Sequence, residues 1–385
     1  MARKKSLLAM LRPQLILIGA IVLGVLIFSL CYSAGGVNML SGSNTESESE
    51  STPTETPTED ASALAASATP SPTETPKPST SGRLIPYYDE NGMWGYKNTS
   101  GQVVIEAMFS DAKEFDEETA FAAQNNLWGL LNRSGAWIVE PTWNNVRDFS
   151  EDKAAVESGE TWGYIDRSGN LIIDYMYREV GDFHCGRAIA RSGSEYGFID
   201  VNGDIAVAQK WSEVSDYGED VAFARSSSGN SYIIDKVGEK IATLSSKQYG
   251  TAYSESYALI RDGSEVYYFN NKGQTAYKTR YEDGLSFVGG YAAVQIDGKW
   301  GFINTRGSLE IENKYRSACS FSNGLAAVQD DETGLWGYIN TSGEYVIEPQ
   351  FDTAEAFSDG YALVSLNGEY SLVNKSAELT HMYFK

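Results

Sequence analysis

A nine-residue stretch recurs along this chain at a nearly fixed interval, and that interval limits the possible folds more than any other feature. Lys299-Trp300-Gly301-Phe302-Ile303-Asn304-Thr305-Arg306-Gly307 has close copies beginning at Trp94, Trp128, Trp162 and Trp336, and weaker ones at Tyr196, Ser231, Val266 and Tyr370. Successive copies lie 34, 34, 34, 35, 35, 34, 36 and 34 residues apart. A period of this size marks a tandem array in which each copy is one supersecondary unit stacked on its neighbours.

The pairs Trp94-Gly95, Trp128-Gly129, Trp162-Gly163, Tyr196-Gly197, Trp300-Gly301 and Trp336-Gly337 define the repeat. Each opens a short apolar strand. Side chains alternate along a strand, so Trp162 and Tyr164 share one face while Gly163 and Ile165 share the other. Both faces are apolar or bare, which predicts packing on both sides, with the glycine admitting a neighbouring sheet. An Asx-x-x-Gly corner follows, from Asn98-Gly101 to Asn340-Gly343, and predicts a type I turn closed by a left-handed glycine. A second strand then ends at an aromatic fifteen residues after the Trp position (Phe109, Trp143, Tyr177, Trp211, Tyr281, Tyr315, Phe351). Six residues further lies another aromatic (Phe115, Phe149, Phe183, Tyr217, Phe287, Phe321, Phe357). A third strand carries Ala and Val two apart, as at Ala154 and Val156, on one buried face. The expected fold is all-β: about nine three-stranded antiparallel meanders, each grouping a third, first and second strand. They can close into a propeller-like ring or run on as an open β-solenoid. Neither end carries the polar cap of an open array, so the ring is the preferred expectation.

The Trp-Gly pair, the Tyr/Phe-Ile-Asn/Asp-x-x-Gly turn and the Phe-Ser-x-Gly-x-Ala-x-Val segment at Phe321 to Val328 resemble the WG repeats, a mostly bacterial β-repeat family. The resemblance spans roughly residues 84 to 376 and implies fold and broad role, with no shared catalytic residues. It departs at the centre, where Ser231-Tyr232 and Val266-Tyr267 replace Trp-Gly.

Ahead of the array, Arg3, Lys4, Lys5 and Arg12 precede an uncharged apolar run from Leu15 to Tyr32. Its eighteen residues would rise ~27 Å as a helix, close to a hydrocarbon core of about 30 Å. Charge asymmetry puts the N-terminus in the cytoplasm. A cleaved signal peptide is the competing expectation, and a lipoprotein anchor at Cys31 is disfavoured by Leu30. Residues 41 to 82 hold six of the ten prolines among Ser, Thr, Glu and Ala, the composition of a disordered stalk. The expected plan is therefore a cytoplasmic tail (1–14), a transmembrane signal anchor (15–34), a disordered linker (35–82) and an extracytoplasmic β domain (83–385).

Of the formal charge of −22, the array carries −20. So negative a surface repels nucleic acid, which excludes it as a partner. Many acids cluster in the corners between second and third strands: Asp111, Glu114, Asp116, Glu117 and Glu118; Asp148, Glu151 and Asp152; Asp216, Glu219 and Asp220; Asp352, Glu355 and Asp359. A solvated surface is the simpler expectation than a calcium ridge, since no corner has a recognisable calcium loop. Cys185 and Cys319 sit at different places in their repeats, out of disulfide range, and are expected as buried small residues. His184 and His381 lack metal-ligand spacing, and no nucleophile elbow, phosphate loop or Cys-x-x-Cys pair is present. No metal or cofactor is expected. The array is expected to expose many Tyr and Trp side chains for binding a cell-wall polysaccharide or an envelope protein. The alternative is a glycoside hydrolase-like enzyme on a propeller, using paired carboxylates.

Overall fold

Asn or Asp after each Trp-Gly strand turns the chain, and the repeating unit follows from that turn. In the computed structural model, which describes residues 79–381, all nine copies make the same corner. The Oδ1 atom of Asn98, Asn132, Asp166, Asp200, Asp235, Asn270, Asn304, Asn340 or Asn374 accepts the amides two and four residues on. Eight of the corners close on a glycine with positive φ, and the ninth on Ala377 at φ 62°.

Every described element is a β-strand, and the Trp-Gly rhythm sets the strand borders. The meander gains a strand, however. In the Trp128 unit the order across the sheet is Asp111–Ala112, Thr119–Gln124, Leu127–Asn132, Trp137–Trp143. The two-residue first strand is held by Ser110 N–H to Ala123 O and Lys113 N–H to Phe121 O. Five units are separate four-stranded sheets, and two share a seven-stranded sheet because Ile205–Val214 runs past Trp211 without a break. Only the first and sixth units have three strands among the described residues. A two-residue strand has no room for a readable alternation, so three-stranded meanders were all the pattern could suggest.

Glycine after the Trp serves a different neighbour from the one the sequence suggested. Trp162 pairs with Tyr177, but Tyr164 pairs with Ile173, so the return strand bulges over Gly163. A Cβ at Gly95, Gly129, Gly163, Gly197, Gly301 or Gly337 would meet the return strand of its own sheet at 2.7 Å or less. The close approach is within the sheet, not between sheets. Where Tyr232 stands in place of glycine, the ladder from Ser231–Leu244 to Ile233–Ala242 runs straight. At Tyr267 the return strand is reduced to the bridges Val266–Tyr281 and Phe269–Thr275.

Both faces of the central strands are buried, as alternation predicts. Tyr164 packs with Val180, Phe183 and Ala190 of the following unit, while Ile165 packs with Leu130 and Trp143 of the preceding one. The corner aromatic then lies against the residue two after the Trp: Tyr96–Phe115, Tyr164–Phe183 and Tyr338–Phe357 have ring centroids 4.8–4.9 Å apart, edge to face. At such separations each pair adds about 0.5–1.5 kcal/mol beyond its buried area. The hydrophobic core is divided into nine clusters, each shared by two units. In one of them Ile85 and Tyr87 of the first unit meet Leu372 of the last. Arg83 Nη1 also donates to Ser358 O at 2.8 Å, and Thr380 Oγ1 to Thr99 O at 3.2 Å.

The expected anchor at 15–34 and nearly all of the linker lie outside the described residues, as does the side chain of His381. No helix among the described residues is long and apolar enough to cross a membrane. Residues 79–82 belong with the array, since Arg133 donates to Thr80 O and Gly82 O.

Candidate functional site

Corners between units are where this chain concentrates charge, and the turn after each short strand decides which side chains meet there. Lys113 Nζ contacts Asp148 Oδ1 of the next unit at 2.8 Å. One repeat later, Arg147 forks Asp182 at 2.7 and 2.9 Å, and His184 Nε2 stands 4.0 Å from Asp216 Oδ2. Carboxylates also take backbone amides across the same seams: Glu151 accepts Gly186 N–H at 2.8 Å, Glu219 accepts Ser256 N–H at 2.7 Å, and Glu255 accepts both Gly289 and Gly290. Much of the acidic surface expected as merely solvated thus ties one unit to the next. Each exposed ion pair contributes about 0–1 kcal/mol, so the ties matter as a set.

Two corners hold carboxyls away from their ordinary range. Burial pushes Glu355 up to about 7, the Glu114 charge adds to this and Arg83 opposes it. Asp216 is pushed up by burial and by Asp182, against His184 and Arg147. Arg83 itself forks Glu114 at 2.9 and 3.1 Å. No group of three or more His, Cys, Asp or Glu among the described residues is placed to hold a metal ion. His184 is half-buried in its corner.

Two open grooves run beside these corners. The first, of about 490 Å³, lies between the Trp128 and Trp162 units and is lined by Glu117, Glu118, Thr119, Asn132, Ile138, Arg167 and Ser168. The second, of about 480 Å³, lies where the first and last units meet and shares Glu117 with it. Arg167 is held by Asp152 at 2.7 Å and Asp116 at 3.1 Å, over the Phe149 ring. Neither Thr119 nor Arg167 stood out in the sequence, because the repeat pattern reads those positions as variable.

The repeat-defining residues are packing residues. Trp94, Trp128, Trp162 and Tyr196 are half-buried, and Trp300 and Trp336 are buried. The expected display of aromatics is not present: Tyr370, at 37% exposure, is the one aromatic among the exposed large hydrophobic side chains of the described residues. Sheets stack on both faces of each Trp strand, which leaves no open platform. Cys319 is buried as expected, but Cys185 is a half-buried free thiol, because it occupies a left-handed corner position at φ 54°.

A family model described as WG containing repeat matches residues 94–128, 128–162, 162–195, 268–300, 300–333 and 336–370, together more than half the chain. The unmatched middle holds Tyr196-Gly197 and the straight ladder at Tyr232. No curated protein matches the sequence. Among solved structures, a eukaryotic initiation factor aligns with a TM-score of 0.55 at 11% identity, over 77% of this chain and 94% of that one. BamB from Moraxella catarrhalis aligns with a TM-score of 0.41 at 16% identity, over 64% and 88% respectively. At these identities the likeness concerns the fold alone, and the neighbours are β-propeller-like proteins.

Proposed function

The chain belongs to the WG containing repeat family, and from that premise we propose a non-enzymatic, surface-displayed binding or scaffold protein whose array recognises a cell-envelope polymer or a protein partner. The nine units close into a propeller-like ring. The observation that carries this is the cluster of Ile85, Tyr87 and Leu372: nine units share nine interfaces, where an open row would have eight. Gly101 faces Thr380 of the last unit much as Gly135 faces Ile105 of the unit before it, so the seam repeats the internal contact. A membrane segment within residues 15–34 and the linker that follows it hold the ring outside the cell, with the N-terminus cytoplasmic. A ring tied at most of its corners keeps its grooves pre-formed, which lowers the ordering cost of binding.

Retention of the full chain, in mild detergent, on isolated cell walls with and without calcium tests this. Retention in either condition is the expected result. A second reading, a carbohydrate-active enzyme, draws on one observation: Glu355, pushed up to about 7 beside Glu114, has the protonation of a general acid. Absence of retention together with turnover of a glycan that Glu355→Gln abolishes would put that reading first.

A further inference from the structure

We propose that the groove between the Trp128 and Trp162 units is a binding site for a sugar unit of a neutral glycan. This rests on the binding function proposed above and gives it a location. Thr119, only 5% exposed, lines the groove, and its Oγ1 has no hydrogen-bond partner. Arg167 Nη1 is likewise buried without an acceptor, although Nε and Nη2 of the same side chain are both held. Asn98, Asn340 and Asn374 donate their side-chain amides to a Gln or Glu four residues on. Asn132 has Ala136 in that place, which offers no side-chain acceptor.

A short side chain, Thr119, borders the groove. Thr119 opens its strand opposite Asn132, where other units place Leu84, Lys153, Arg187, Val221, Tyr257, Tyr291, Leu325 or Tyr361. In the sixth unit the Tyr257 hydroxyl reaches Thr305 O of the next unit at 2.9 Å, 48 residues along. Arg167 stands at the same separation from Thr119. Tyr257 therefore spans in its unit the gap that Thr119 leaves in the second.

Chemistry narrows the occupant. Arg167 Nη1 and the Asn132 amide call for acceptors, whereas Glu117 and Glu118 call for donors, and the Thr119 hydroxyl serves as either. An anion would face Glu117, Glu118, Asp116 and Asp152, and a cation would face the Arg167 guanidinium. A neutral polyol satisfies both sets at once. Ile138, 38% exposed, offers an apolar flank for the C–H face of a ring, and about 490 Å³ is ample for one sugar residue.

Calorimetric titration of the full chain with cellotetraose, xylotetraose and chitotetraose, and with tetragalacturonate as the anionic comparison, decides the matter. At least one neutral probe is expected to bind, more tightly than the anionic one. Thr119→Tyr, which installs the residue of three sister units, should weaken binding at least tenfold, and Thr119→Val about fivefold. Should Thr119→Tyr lose the wild-type melting transition, Arg167→Lys, expected to weaken binding at least threefold, replaces it. No neutral binding, preference for the anion, or equal affinity in the variants overturns the site. Wall retention separates this from the broader function: equal retention of wild type and Thr119→Tyr removes the groove and leaves the binding function. Loss of neutral-probe binding in Thr119→Tyr, with no retention of wild type on walls, does the reverse.

Discussion

Gly163 and Ala377 mark opposite extremes of what the repeat asks of a single residue. At Gly163 a methyl group would lie 2.5 Å from Ile173 O, and the bulged return strand that crowds it is backbone, with little room to yield. Gly163→Ala should destabilise the array by about 1–3 kcal/mol, the usual cost of overpacking, read from chemical denaturation. Ala377 presents the converse case, a Cβ held at positive φ where eight sister turns have glycine. Ala377→Gly should stabilise the last unit by about 1 kcal/mol, visible as slower exchange of the Glu378 and Thr380 amides. The bare face at Gly163 was legible in the sequence, but its neighbour was not, because a bulge adds residues to one strand without altering the apolar pattern of the other. Thr119 and Arg167 were illegible for a related reason. Thr119 matters by differing from Tyr257 and Arg167 by differing from Thr305, while pattern reading attends to what recurs.

At the scale of the element, the Asx corner and the Trp-Gly strand were readable because each has a fixed local signature. The Asp111–Ala112 type of strand was not, since its two residues are defined only by bonds to Thr119–Gln124. Tyr253 shows how a small offset hides an equivalent. It fills the corner of the sixth unit, packing with Val221 and Ala258, one residue later than the aromatic spacing predicts. The Val266 copy carries a sharper consequence. Its return segment is tied to its neighbour through the bridges at Thr275 and Tyr281, whereas Leu309–Tyr315 forms a full strand in the next unit. Amides between 276 and 280 should therefore exchange faster than those of 309–315, except Ala276, which donates to Tyr268 O. Hydrogen exchange read by mass spectrometry checks this, and equal protection would mean that the segment is a complete strand in solution.

Across the whole molecule, the joint between first and last units decides whether the array behaves as a ring, and it carries its own titration. Glu355 of the last unit feels Glu114 and Arg83, and Arg83 also holds Ser358. Burial and the Glu114 charge raise the Glu355 carboxyl from 4.5 to about 7 in the folded chain. A raised acid means that the folded state holds its proton more tightly than the unfolded state does. Below pH 4.5 both states are protonated and the carboxyl costs nothing. Between 4.5 and 7 the folded state binds more protons, so stability falls as pH rises, and above 7 the penalty is constant. Its ceiling is on the order of 3 kcal/mol, because each tenfold gain in proton affinity corresponds to about 1.4 kcal/mol. Asp216, raised at another corner, acts in the same direction. Glu355→Gln imitates the protonated side chain at every pH. The variant should melt with wild type at pH 4 and several degrees above it at pH 8, with the gap opening between pH 4.5 and 7. A gap independent of pH would mean that the Glu355 carboxyl is solvated and that the seam between the first and last units is open to water.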